Sequence, residues 1–172
     1  MIVRRVVPAD AAPLLTLLRE LIAEPGVNVP LQPDEVKRTD EEQLAKVTDF
    51  ASSPRAAMFV ATADNAIVGQ ISVQPVSTRR ALLHVGTLGL AVVKAWRGRG
   101  VGAALMQPML DWAHAAGYTR VELAVYVRNT PAVRLYQKFG FQIEGTRRNY
   151  IREGASYVDD YLMARLDVPA AV

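Results

Sequence analysis

Ile2 to Val7, with two pairs of β-branched apolar residues around Arg4 and Arg5, reads as a strand. Leu14, Leu17, Leu18 and Leu21 then recur at helical spacing, so a helix burying one face follows, with Asp10 placed to cap it. Pro25, Gly26 and Pro30 break the pattern between Glu24 and Gln32, and a second helix is expected from about Thr39 to Phe50. Two β-like runs, Ala57 to Ala63 and Ile67 to Val76, are joined by Asp64-Asn65, a dipeptide suited to a tight hairpin. A third run, Leu82 to Val93, contains Gly86 and Gly89, and glycine inside a strand marks a bulge or a close approach by a ligand.

After Gly100, Val101, Leu105, Met109 and Trp112 line one side of a helix that ends at Gly117. Pro108 lies inside it and is expected to bend or open it, at about 3 kcal/mol if nothing compensates. A strand from Tyr118 to Val127, a short helix from Pro131 to Phe139 and two final strands, Phe141 to Arg148 and Tyr157 to Arg165, complete the pattern. This order predicts one α/β (α+β) domain over residues 1–172, with a mixed, mostly antiparallel sheet of about seven strands and helices on both faces.

Composition narrows the chemistry. At 172 residues and 51% hydrophobic, the chain can bury one sizeable core. The longest nearly apolar run, Val85 to Val93, falls well short of the roughly 20 residues of a membrane span, so a cytoplasmic protein with no membrane partner is expected. Cysteine is absent, which removes disulfides, a thiol nucleophile and a cysteine-based zinc site. Only His84 and His114 remain among the histidines, and no metal is expected. The net charge of +3 comes from dispersed Lys and Arg offset by 17 acidic residues, a balance that suits a small polyanion better than nucleic acid.

Arg97-Gly98-Arg99-Gly100-Val101-Gly102 sits between an apolar strand and a helix start. Amide groups there lack intrahelical partners, the helix dipole favours an anion, and glycines admit a close pyrophosphate. Arg97 and Arg99 add positive charge. Gly98, Gly100 and Ala103 also fit the dinucleotide pattern G-x-G-x-x-A, with Glu122 about 20 residues on, but that fingerprint belongs to the first unit of a parallel sheet, and antiparallel-looking strands precede this one. No Gly-Lys-Ser or Gly-Lys-Thr is present for a P-loop.

Arg97-x-x-Gly100-x-Gly102 resembles the acetyl-CoA signature R/Q-x-x-G-x-G/A of the GNAT N-acetyltransferases. Asn129 to Phe141, read as N-x-x-A-x-x-L-Y-x-K-x-G-F, resembles a second block of that family. The likeness is closest from His84 to Leu166 and extends to bacterial amino-acid and ribosomal-protein acetyltransferases. It implies acetyl-CoA as cosubstrate, a splayed central strand pair, and a bulge near Gly89 to Ala91 in the strand that receives the pantetheine arm. The implied cofactor contacts are Leu90, Ala91 and Val92, the amide groups of Arg97, Gly98, Arg99, Gly100, Val101, Gly102 and Ala103, and Asn129 and Lys138. A homodimer is also a family expectation.

Direct attack of an amine on a thioester needs a proton acceptor for the ammonium and a donor for the departing thiolate. By family position Tyr136 is the general acid, although Ala132, Leu135, Tyr136 and Phe139 share a helical stripe that packing alone would explain. Asn129 also suits a helix cap. Glu122, His84 and Asp159 are the candidates for the base; His114, on a polar stripe with Gln107 and Asp111, is not. Arg147, Arg148 and Arg152, with Tyr150, either receive the carboxylate of an amino-acid acceptor or form a solvated hairpin. The loop from Glu24 to Thr39 is the other expected acceptor wall. A small-molecule primary amine is the expected substrate, against a protein N-terminus or a non-catalytic acetyl-CoA sensor.

Overall fold

The computed structural model describes residues 1–167. Seven strands, β1 (Ile2–Arg5), β2 (Ala57–Ala63), β3 (Ala66–Pro75), β4 (Val85–Val92), β5 (Arg120–Tyr126), β6 (Gln142–Glu153) and β7 (Ser156–Leu166), form one sheet in the order β1-β2-β3-β4-β5-β7-β6. Only β4 and β5 pair in parallel. The helices are α1 (Ala11–Ala23), α2 (Asp40–Ser52), α3 (Val101–Ala115) and α4 (Thr130–Lys138). This is the mixed, mostly antiparallel α+β sheet that the pattern predicts. Among the described residues, no helix is long and apolar enough to cross a membrane.

The period of two in β2 divides the core between the two faces. Ala57 and Ala61 pack with Leu105, Met106 and Met109 of α3, and Val133 and Tyr136 of α4 join the same cluster. Met58 and Val60 face the other way, against Leu14 of α1 and Val47 and Phe50 of α2.

Local chemistry explains most element boundaries. Asp64 and Asn65 both have positive φ, as a two-residue hairpin turn requires. Thr39 and Glu42 form a reciprocal capping box that starts α2. Asp10 does not cap α1: its carboxylate accepts two bonds from Arg4 and one from the Val7 amide, closing the 3-10 turn Pro8–Asp10 ahead of the helix. α3 continues through Pro108, so the expected opening there does not occur.

The last hairpin differs most from expectation. β6 does not stop at Arg148; it resumes after a wide irregularity and reaches Glu153. Arg147 pairs with Asp160 and Ile151 with Val158, so three residues of β6 stand opposite Asp159. Asn149, at φ 54°, turns the chain there and donates its amide to Asp159 Oδ1 at 2.7 Å.

Candidate functional site

β4 and β5 pair over three positions only, Val85 with Arg120, Gly86 with Val121 and Thr87 with Glu122. Beyond them β4 stays paired to β3 as far as Val92, and β5 to β7 as far as Tyr126. Two strand edges therefore diverge and face each other unpaired. The β3–β4 register is continuous, so the bulge expected at Gly89 to Ala91 is absent and the opening needs no inserted residue.

Antiparallel alternation shows which peptide groups enter this opening. Val93 N–H donates to Val68 O and Val76 N–H to Val85 O, which makes Ala91–Gln70 and Gly89–Ser72 the hydrogen-bonded pairs between them. Leu88, Leu90 and Val92 turn their peptide groups toward the opening. Ala91, expected to contact the cofactor, spends its own on Gln70.

The turn before α3 is built for an anion. Gly98 and Gly100 have φ of 72° and 82°, a region L side chains avoid. The first bond of the helix runs from Ala104 N–H to Gly100 O at 3.0 Å, and the amides of Gly98 to Ala103 have no partner among the described residues. The helix dipole adds to them. Arg97 departs from expectation, because its amide already donates to Lys94 O and its guanidinium forms a two-pronged pair with Glu24, both bonds 2.7 Å. Its Nε donates to Val92 O at 3.0 Å. Arg99 lies over the Trp96 ring at 5.3 Å and has no acidic partner among the described residues.

Gly102 is where the elements meet. A Cβ there would stand 2.8 Å from Leu135 Cδ2 and 3.6 Å from Leu90 Cδ2, so α3 lies against both α4 and the open part of β4, and an added methyl would push the Leu135 side chain aside. Tyr136, next to Leu135, is 6% exposed, with its ring 5.8 Å from that of Phe141. Its hydroxyl has no partner among the described residues, yet it is not sealed: the one fully enclosed side-chain polar atom without a partner is Arg5 Nε. Burial pushes the phenol up to about 12. Asn129 occupies the cap position of α4 and its backbone N–H donates to Tyr126 O, but its side-chain carboxamide makes no cap bond and has no partner among the described residues; Lys138 is exposed at the far end.

The candidate bases separate. His84 is exposed and precedes the closed end of the strand pair, six residues and roughly 20 Å from Leu90 at about 3.3 Å per residue. It is not in the opening. Asp159 is committed to the Asn149 amide. Glu122 shares its carboxylate with Arg120, which also binds Glu144.

Beside the open end of β5 is a cleft of about 710 Å³ between the loop after α1 and the β6–β7 hairpin. Glu24, Glu35, Tyr126, Tyr150, Arg152 and Glu153 give it its polar lining. The two segments expected as acceptor walls thus line one cleft, although the arginines divide. Arg147 binds Asp160, which is 3% exposed, and stacks on Tyr150; Arg148 is exposed; Arg152 lines the cleft with no acidic partner among the described residues.

Sequence reasoning singles out neither Tyr126, Arg128 nor Glu153, and names Glu24 only as the start of the loop. Arg128 donates to Asn28 and to both oxygens of Glu153, joining the two walls, and lies over the Tyr126 ring. Burial, followed by the nearby Glu153, raises the Tyr126 phenol. No short-range pattern marks these residues. The ion-pair and hydrogen-bond partners of Glu24, Arg128 and Glu153 lie 25 to 100 positions away.

Comparison with known proteins bears on this geometry. The model of the acetyltransferase (GNAT) family matches residues 18–141. The L-amino acid N-acetyltransferase AaaT of Escherichia coli (strain K12) is 38% identical over 121 residues, covering 68% of this chain and 72% of that protein. The crystal structure of a GNAT-family acetyltransferase from Streptococcus pneumoniae is 31% identical with a TM-score of 0.88, over 96% of this chain and 98% of that one. YncA from Salmonella typhimurium, solved with its cofactor acetyl-CoA, shares the fold at 16% identity and a TM-score of 0.88, over 100% of this chain and 96% of that one.

Proposed function

The chain belongs to the acetyltransferase (GNAT) family and is an N-acetyltransferase, and we propose that it transfers acetyl from acetyl-CoA to the primary amine of an amino acid or a related small molecule. The observation that carries this reading is the junction at Gly102, where unpartnered amides, the open edge of β4 and the helix bearing Tyr136 converge. The amino-acid class rests on Arg152 in the cleft and on the likeness to AaaT.

Acetyl-CoA supplies the activated acetyl group. The amides of Gly98 to Ala103, with Arg99, receive its pyrophosphate, and the Leu90 and Val92 peptide groups continue the β4 ladder along its arm. One of those two N–H groups also stabilises negative charge developing on the acetyl oxygen. Tyr136, protonated at any ordinary pH, donates to the sulfur as it leaves. Asn129 and Lys138 are further contacts. In the acceptor cleft Arg152 pairs with a carboxylate. Glu122, on the same face of β5 as Tyr126, takes the ammonium proton through water.

The test is release of free thiol from acetyl-CoA with separate pools of amino acids, polyamines, aminoglycosides and short peptides. Turnover with the amino-acid pool alone is expected. Turnover with peptides alone would move the acceptor to a protein N-terminus, and acetyl-CoA binding with no turnover in any pool would make the chain a sensor.

A further inference from the structure

Arg97 and Glu24 lie 73 positions apart, yet they form one of the best-formed ion pairs in the molecule. We propose that Arg97, the leading arginine of the glycine-rich turn, serves the acceptor and not the cosubstrate: with Glu24 it is a positioning pair that fixes the acceptor wall to the open edge of β4.

Each guanidinium nitrogen of Arg97 makes one bond within the protein, which commits three of its five N–H groups and fixes the plane of the fork. Nη1 and Nη2 donate to the two oxygens of Glu24 and Nε donates to Val92 O. Redirecting it at a phosphate would break three bonds, while the amides of Gly98 to Ala103 and the guanidinium of Arg99 already offer uncommitted donors to an anion. Glu24 stands at the C-terminal cap of α1, where the loop begins, and lines the 710 Å³ cleft. Its side chain is 15% exposed. The hydrogen bonds from Arg97 hold its carboxyl below the usual range, so it is ionised at neutral pH.

Val92 is the last residue of β4, and its carbonyl lies on the open edge. The chain Glu24–Arg97–Val92 O therefore sets the distance between the wall that holds the acceptor and the strand along which the thioester lies. A planar fork does this in a way a flexible ammonium cannot. Small misplacements of reacting groups are costly in rate, which gives such a tie its value. This inference rests on the acetyl-CoA reading above.

The test uses the full chain with Arg97→Gln, Arg97→Lys, Glu24→Gln and the Glu24→Gln/Arg97→Gln double variant. Three quantities are read: the CoA dissociation constant by calorimetry, KM and kcat for the amine best acetylated by the unaltered enzyme, and the rate of tryptic cleavage after Lys37 and Arg38. A positioning pair predicts CoA affinity within about twofold throughout and acceptor KM raised about five- to tenfold in each single variant, with the double no worse. Cleavage of the loop should accelerate in all four variants. Arg97→Lys should behave like Arg97→Gln, because it keeps the charge and loses the fork. A CoA affinity loss of about tenfold in Arg97→Gln, restored in Arg97→Lys and absent in Glu24→Gln, would make Arg97 a phosphate ligand and overturn the proposal. Additive KM effects would overturn it equally. If an Arg97 variant does not fold, Glu24→Gln decides by the same criteria. Should the unaltered protein bind CoA but acetylate no amine, the acceptor reading fails by itself, and the calorimetric and proteolytic results still decide the role of Arg97.

Discussion

Replacing Tyr136 by Phe separates chemistry from packing at the centre of the site. The ring is 6% exposed and packs against Phe141, and phenylalanine keeps all of that. The hydroxyl makes no bond to the described residues, so its removal should change stability by less than about 0.5 kcal/mol, or about 2 °C in Tm. If the hydroxyl protonates the leaving sulfur, kcat should fall by about 10²–10⁴, which corresponds to about 3–5 kcal/mol in the barrier. Ionisation gives a second signature. Burial lifts the phenol from 10.0 to about 12, so the neutral form stabilises the fold fully below pH 10, and that contribution disappears as pH rises through 12. Two pKa units amount to roughly 2–3 kcal/mol, so the unaltered protein should lose stability relative to the Phe variant between those pH values and nowhere below them. Thiol-release kinetics and thermal melts across pH make the measurement. An unchanged kcat, with or without a drop in Tm, would reduce Tyr136 to a core residue.

At Gly102, alanine should place its Cβ 2.8 Å from Leu135 Cδ2, opposing the gain of about 1 kcal/mol expected for alanine in a helix; Tm should change little while kcat falls, and Leu135→Ala in the same chain should restore part of the rate. Arg147→Met strands the buried Asp160 carboxylate and should cost about 3 kcal/mol or more by denaturant unfolding, whereas Asp160→Asn leaves a guanidinium that is 31% exposed and can turn to water, at a smaller cost. Arg152→Ala should raise KM about tenfold for amino acids and leave it unchanged for amines lacking a carboxylate; equal effects on both in steady-state kinetics would remove Arg152 from acceptor recognition.

The elements were legible because their signals are local. Leucine spacing in α1 and the Asp64-Asn65 turn each act over a few positions, and the structure uses both as that local physics dictates. Arg97 shows where such reading ends. Its place before Gly98 suggests a phosphate ligand, but a carboxylate 73 positions earlier captures it, and nothing near either residue announces the other. The same holds for Arg128, whose partners sit on the loop after α1 and at the end of β6. His84 was misjudged for a geometric reason: nearness in sequence to β4 does not say at which end the strands part. The bulge was expected from a resemblance, whereas the strands here diverge simply because β4 follows β3 and β5 follows β7.

The strand order also governs how the sheet can be completed during synthesis. β7 is the last strand of the described residues yet lies inside the sheet, between β5 and β6. Ser156 follows Tyr126 by 30 positions, so at about 5–20 residues per second the ribosome leaves one edge of β5 bare for roughly 2–6 s. Chains released before Ser156 would keep that bare edge permanently, and they should accumulate as aggregates and not as a slightly shortened enzyme.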